Sequence, residues 1–383
     1  MRDNRRDFIK KISYLTAAGS VAGITACTGP EKKSKNAAGP EISEPNGKDV
    51  EWPVVFGQDK PKMCLISPLD SKYMKKVKQI GVDNVLCGGP QIPWTVNSLT
   101  EIKDQYKAEG LNVINMMIGG FNNTIYGREG RDEEIAKIKD SLIAAGAVGL
   151  PVVEYNFYAH RFLDGYYNTV ARGGAGTLSM DYERGKNVPG DPAEGTPQTA
   201  EMLWNNLTYF LKAVIPVAEK AGVRMALHPN DPPVPVSRGH AQIVATFSDW
   251  KRIIEIVDSP SNGMTYDCGV SREIGEDPME VLRYLGSRDR INHIHYRNVI
   301  VEKPSLKYEE VFFDEGQVNM FAVMKEIFRL GYKYGLYPEH PRALDYDRES
   351  AVGIGKNPGD AGYTGWTYNA AYAKAMMQAV ASL

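Results

Sequence analysis

Four apolar, strand-like runs in the second half of the chain each end in a side chain able to hold a metal ion. Residues 224–228 end in His228, residues 264–267 in Asp267 with Cys268 beside it, residues 291–295 in His295, and residues 336–339 in Glu339, followed by His340. Imidazoles and anionic groups together suit a divalent transition ion such as manganese, iron, cobalt or zinc. A single histidine at a strand end is ordinarily structural, whereas four such endings in succession point to a metal site. His293 lies two residues before His295, on the same strand face and one layer deeper. It reads as a hydrogen-bonded interior residue. His160 and His240 fall in loop-like sequence and carry no assigned role.

These endings must be brought together by the fold. From residue 60 onward short apolar runs alternate with helical patterns, and eight runs read as strands: 63–67, 84–87, 113–117, 152–157, 224–228, 264–267, 291–295 and 336–339. Strand–helix alternation predicts parallel strands with helices outside, and eight units fit a closed (β/α)8 TIM barrel of the α/β class better than an open sheet. In such a barrel the strand ends share one rim, so distant residues converge there. Ser67-Pro68-Leu69-Asp70 after the first strand is not a phosphate-binding glycine-rich turn. Helix ends are legible: Ser98 stands three before Glu101 as a capping box, Asp277-Pro278 is a cap with a first-turn proline, and Gly286 and Gly331 read as stops. Ile135, Ile138 and Leu142 form one apolar stripe, and Phe321, Met324, Ile327 and Phe328 another. Residues 159–198, rich in Gly, Pro, Tyr and Asp, read as a long lid or binding loop.

The chain has 383 residues, 43% of them apolar, which is enough for one large core. With 45 basic against 47 acidic residues there is no basic field for a nucleic-acid backbone, so nucleic acid is not expected as a partner. Asn4-Arg5-Arg6-Asp7-Phe8 has the paired arginines of a twin-arginine export signal, and Ile24-Thr25-Ala26-Cys27 has the form of a lipobox. Residues 1–27 are therefore expected to be a signal peptide, 28–50 a flexible tether, and 51–383 the catalytic barrel. The expected location is periplasmic, reached by the twin-arginine route, with membrane contact only through a lipid on Cys27. Cys64, Cys87 and Cys268 do not make a disulfide framework; the first two read as small core residues.

The stretches Phe210-Leu211-Lys212-Ala213-Val214-Ile215-Pro216-Val217-Ala218-Glu219 and Val223-Arg224-Met225-Ala226-Leu227-His228-Pro229-Asn230-Asp231-Pro232-Pro233 resemble the signature of the mannonate dehydratase family. Tyr155-Asn156-Phe157, His295-Tyr296-Arg297 and Pro338-Glu339-His340 resemble further motifs of that family in order and spacing. The resemblance implies a xylose-isomerase-like TIM barrel whose metal ligands are His228, His295 and Glu339, the last replacing a family aspartate. Where the family has Cys-Thr-Gly, this chain has Asp267-Cys268-Gly269. Both Asp267 and Cys268 stand as candidate ligands; Asp267 is preferred, because a one-residue slip would reverse every side chain of the strand. The resemblance further implies His340 as catalytic residue and Arg297, Asn156 and Asn230 as substrate-binding groups. The family's catalytic tyrosine follows a Pro-Gly pair; here Pro358-Gly359 is followed by Asp360, and Tyr363 is the nearest candidate.

The implied reaction is elimination of water from a 2,3-dihydroxy sugar acid, giving a 2-keto-3-deoxy acid, with Mn(2+) or Fe(2+) as the divalent ion. A bound cation would stabilise negative charge developing beside the carboxylate. His340 and Tyr363 would divide the acid and base roles. Two other readings stay open at this level: a metal-dependent sugar isomerase or epimerase, toward which Asp267 and Glu339 lean, and a lipid-anchored sugar-acid-binding protein without catalysis. The oligomeric state, a homo-oligomer included, is open.

Overall fold

The structure is a computed structural model and describes residues 54–190, 195–349 and 362–383. The expected leader 1–27, the tether 28–50, the start of the barrel domain at 51 and the Pro358-Gly359-Asp360 segment lie outside those residues.

Eight parallel strands close into a barrel: β1 (Lys62–Ile66), β2 (Asn84–Gly88), β3 (Asn112–Met117), β4 (Val152–Tyr155), β5 (Arg224–Leu227), β6 (Asn262–Asp267), β7 (Ile291–His295) and β8 (Gly335–Tyr337). Each pairs with the next in sequence, and β8 closes on β1 through Lys62 with Gly335 and Met63 with Leu336. All eight expected strands are present, within one or two residues at most ends. Their central side chains are buried, as for strands covered on both faces.

The helices follow their local signals, with corrections. Asp277 caps the helix Pro278–Gly286, with the proline in its first turn. The cap expected at Ser98 is displaced by one turn. Thr95 caps the helix Val96–Ala108 and Ser98 completes the box. Gly286 lies inside its helix, where a Cβ would stand 2.4 Å from Leu330, so close packing selects it rather than chain reversal. Gly331 does end a helix, at φ 66°. In the helix Met320–Arg329, Phe321 faces solvent, and Met320, Val323, Met324 and Ile327 form the buried stripe. Among the described residues no helix is long and apolar enough to cross a membrane.

The long segment after β4 is not structureless. Tyr166–Val170 and Gly176–Asp181 form a hairpin that joins a second hairpin after β7, Asn298–Lys303 with Lys307–Val311. This four-stranded antiparallel sheet arises from two loops of the same rim. Phe162, Met180, Val234 and Tyr308 make its own small apolar core, which fixes the sheet beside the strand ends.

Candidate metal centre and active site

His228, Asp267, His295 and Glu339 meet at the C-terminal rim. His228 Nε2 lies 3.1 Å from His295 Nδ1, and that same nitrogen lies 2.9 Å from Glu339 Oε1 and 3.9 Å from Asp267 Oδ2. Two overlapping triads share His295: Asp267, His295 and Glu339, and Glu154, His228 and His295. The second His228 nitrogen, Nδ1, is 2.6 Å from the Pro229 carbonyl, which fixes its proton there and leaves Nε2 as a lone pair aimed at the cluster.

These atoms suit a cation. Glu339 Oε1 is buried, and although it lies within 2.9 Å of His295 Nδ1 it makes no hydrogen bond. Glu339 Oε1 and His228 Nε2 both face His295 Nδ1, and a divalent ion can take the place of the proton that otherwise holds such a cluster together. The electrostatics agree. Burial opposes a charge on His295, but Glu339, Glu154 and Asp267 together carry it up to about 9. Burial raises Asp267 to about 6 even with Arg297 beside it. So many anions in one place require a positive charge.

Asp267 reaches the cluster from the end of β6, its Oδ1 accepting from the Val270 N–H and its Oδ2 from Arg297 Nε at 2.9 Å. Cys268 does not. As the first residue of the helix Cys268–Glu273 it is fully buried, its thiol donating to the Arg297 carbonyl and accepting from the Arg297 N–H. Burial pushes that thiol far above its ordinary value. The expectation of Cys268 as a ligand is corrected: neighbours at a strand end face opposite ways, and Asp267 takes the inward one.

His340 stands at the rim with 27% of its side chain exposed. Its φ of 44° puts a non-glycine residue in the left-handed region, a strain found where a side chain must be aimed. Nδ1 lies 2.9 Å from Glu310 Oε1, while Nε2 faces Glu339 at 3.6 Å and Asp231 at 3.9 Å. Burial disfavours its cation, yet Glu310 and Glu339 outweigh that and raise it to about 9. Arg342 Nη2 holds Glu310 at 2.7 Å. The Asn369 amide donates to the Glu339 carbonyl at 2.7 Å, supporting the turn from below.

The chain matches the family model described as D-mannonate dehydratase (UxuA) over residues 196–382. It is 27% identical over 316 residues to the mannonate dehydratase of Streptococcus equi subsp. zooepidemicus, covering 75% of this chain and 86% of that one. The crystal structure of mannonate dehydratase from Streptococcus suis serotype 2 superposes with a TM-score of 0.74 at 26% identity, covering 84% of this chain and 94% of that one. The chain is similar to mannonate dehydratases along most of its length. An L-ribulose 3-epimerase structure, with TM-score 0.52 and 13% identity over 84% of this chain and 95% of that one, shares the fold alone.

Two expected substrate or catalytic residues, Tyr363 and Asn230, are placed elsewhere, while Arg297 stands at the cluster. Tyr363 opens the helix Tyr363–Ala381, and its hydroxyl lies 3.5 Å from Gln79 on the outer helical layer, with the Lys76 ammonium near its ring. It is not brought to the rim. Asn230 uses its amide within its own loop, donating to Gln242 and accepting from the Val244 N–H. Arg297 is only 1% exposed; Nε donates to Asp267 and Nη1 to Glu273 at 2.6 Å, with Glu339 and Asp231 also within 3.5 Å. Nε and Nη1 are taken by the protein's own carboxylates, while the buried Nη2 makes no hydrogen bond. Asn156 stays at the rim, half-buried, against Met117 Sδ.

Several residues of the site were not singled out in advance. Glu154, buried in β4, accepts from Asn115 and Thr265 and stands 3.5 Å from His295 Nε2. Its signal was a carboxylate inside an apolar strand. Asp231 accepts from the Tyr166 and Tyr308 hydroxyls and ties the cap sheet to the rim. Glu310 and Arg342 gave no local signal. His293 is interior as expected but not hydrogen-bonded: both ring nitrogens lack a partner, and burial lowers it to about 4. His160 and His240 tie loops together, to Ser237 and to the Gln198 N–H.

Proposed function

We propose that this protein is a metal-dependent dehydratase of a hexonate-type sugar acid, converting a mannonate-like substrate to a 2-keto-3-deoxy acid. The observation that carries the reading is the convergence of His228, Asp267, His295 and Glu339 beside an aimed His340, in a chain whose residues 196–382 match the D-mannonate dehydratase family model. His228, Asp267, His295 and Glu339 would hold the ion, and Mn(2+) or Fe(2+) suits two imidazoles with two carboxylates better than a thiolate-seeking ion does. When bound, that ion supplies charge stabilisation as the C2 proton leaves from beside the carboxylate.

His340 handles the departing group. Raised to about 9, its imidazole is cationic at neutral pH, so it gives a proton to the C3 hydroxyl as the C–O bond breaks. Glu310 orients the ring through Nδ1 and leaves Nε2 facing the site. The cap sheet, bound to the rim through Tyr166, Tyr308 and Asp231, limits access of water. The C2 proton passes to solvent, the C3 hydroxyl takes the His340 proton and leaves as water, and the resulting enol tautomerises to the keto acid while His340 is reprotonated from solvent.

The test is incubation of the metal-reconstituted protein with mannonate and other hexonates. Thiobarbiturate-positive 2-keto-3-deoxy acid is expected. Isomerisation of free sugars with none of that product would contradict the reading in favour of an isomerase. For location, Arg5-Arg6 and Cys27 support twin-arginine export and lipid anchoring. Palmitate labelling of the native chain that survives C27A would contradict the anchor.

A further inference from the structure

We infer that Glu154, on β4, is a positioning residue that holds a proton on Nε2 of His295 and leaves Nδ1 as the metal-facing lone pair. The inference rests on the metal centre of the proposed dehydratase and deepens it. A neutral imidazole carries one proton, so one ring nitrogen donates and the other accepts. His295 has carboxylates on both sides. Nδ1 faces Glu339 Oε1 at 2.9 Å and His228 Nε2 at 3.1 Å, while Nε2 faces Glu154 Oε1 at 3.5 Å. Among the described residues the buried Nε2 makes no hydrogen bond, so Glu154 is the group that meets a proton placed there.

The place of Glu154 in the barrel decides which nitrogen keeps the proton. Thr265 precedes Asp267 by two residues and pairs in register with His293, as Asp267 pairs with His295. Thr265 and His293 therefore form the layer beneath the ligands. Glu154 bonds to that lower layer: Oε1 accepts from Thr265 Oγ1 at 2.7 Å, and Oε2 from Asn115 Nδ2 at 2.8 Å. Both oxygens are acceptors, held from β3 and β6, and an acceptor facing Nε2 calls for an N–H there. Glu154 with His228 and His295 is also a rival seat for the ion. That seat has one carboxylate, already bonded at both oxygens. The upper seat has two, and Glu339 Oε1 makes no hydrogen bond. The ion therefore belongs on the Nδ1 side. His228 presents the opposite nitrogen, because its Nδ1 meets the Pro229 carbonyl. The two imidazoles thus bind through different atoms, His228 by Nε2 and His295 by Nδ1.

Zinc-loaded wild-type protein with isotopically labelled histidine nitrogens tests the assignment, since long-range proton–nitrogen spectra distinguish metal-bound from protonated ring nitrogens. One ring ligated through Nδ1 with Nε2 protonated, and one ligated through Nε2, are expected. Two rings both ligated through Nε2 overturn the inference. Manganese affinity is measured alongside by calorimetry. E154M should weaken it about 10- to 100-fold, the scale for removing a group that orients a metal-binding histidine. E154Q should recover part of the loss: Asn115 Oδ1 lacks a partner, and turning that amide lets the glutamine carbonyl face Nε2. Affinity in E154M equal to wild type overturns the inference, and keto acid released by the wild type then leaves the dehydratase reading standing. The expected ring pattern in a wild type that releases no keto acid supports Glu154 and contradicts the dehydratase reading alone. A wild-type protein that takes up no ion overturns both.

Discussion

Glu310 Oε1 lies 2.9 Å from Nδ1 of His340, so a carboxylate from the cap sheet sets the orientation of an imidazole at the barrel rim. The pair joins two parts of the fold that arise from different loops. Arg342, itself buried, secures Glu310 from the other side and also donates to Thr177 on the neighbouring cap strand.

Burial alone would raise the Glu310 carboxyl, but His340 and Arg342 hold it down at about 2. A depressed folded value means stability that is complete above the unfolded value and lost as pH falls toward 2. E310Q should therefore cost about 3 kcal/mol at pH 7, and the gap from wild type should shrink steadily between about pH 4.5 and 2. Urea midpoints across that range measure it. A gap that does not change with pH would show that the Glu310 charge contributes nothing.

Gly269 lies directly under Arg297. A Cβ there would stand 2.7 Å from Nη1 and 2.8 Å from Cγ, with no room to yield because Asp267 and Glu273 hold the guanidinium. G269A should lower stability by about 1–3 kcal/mol, seen as a lower thermal midpoint. An unchanged midpoint would mean that the guanidinium is loosely held.

Tyr363, despite its place near the expected motif, contacts the outer helix through Gln79. Y363F should leave kcat within about twofold of wild type, the scale of a substitution away from the site. A hundredfold loss would restore the tyrosine to catalysis and require a rearranged C-terminal segment.

The barrel was legible because parallel strands buried on both faces are short continuous apolar runs, and all eight stood out between helical patterns. His228, Asp267, His295 and Glu339 were legible because barrel topology alone sends strand ends to one rim. Choosing between Asp267 and Cys268 also followed from strand alternation. What lay beyond reach depended on contacts across the fold. Residues 159–198 lack apolar alternation, yet Tyr166–Val170 and Gly176–Asp181 within them pair into a sheet because the loop after β7 supplies partners. Glu310 sits in exposed-looking sequence, and only tertiary placement beside His340 reveals it. Arg297 was legible as a residue of the site by type, whereas its hold on Asp267 and Glu273 depends on tertiary placement.

Substituting Cys268 separates the two ligand schemes. C268S should retain full metal content, since the thiol bonds only to the Arg297 backbone. Loss of the ion in C268S with retention in D267N would reverse the assignment.

Metal content of the purified protein, read by mass spectrometry of the ion after exhaustive dialysis, tests the convergence of the four strand ends most directly. About one divalent ion per chain is expected in the wild type, falling to near zero when His228, His295 and Glu339 are replaced together by H228A, H295A and E339A. An ion content unaltered by that triple substitution would contradict the metal centre, and with it the dehydratase reading built on it.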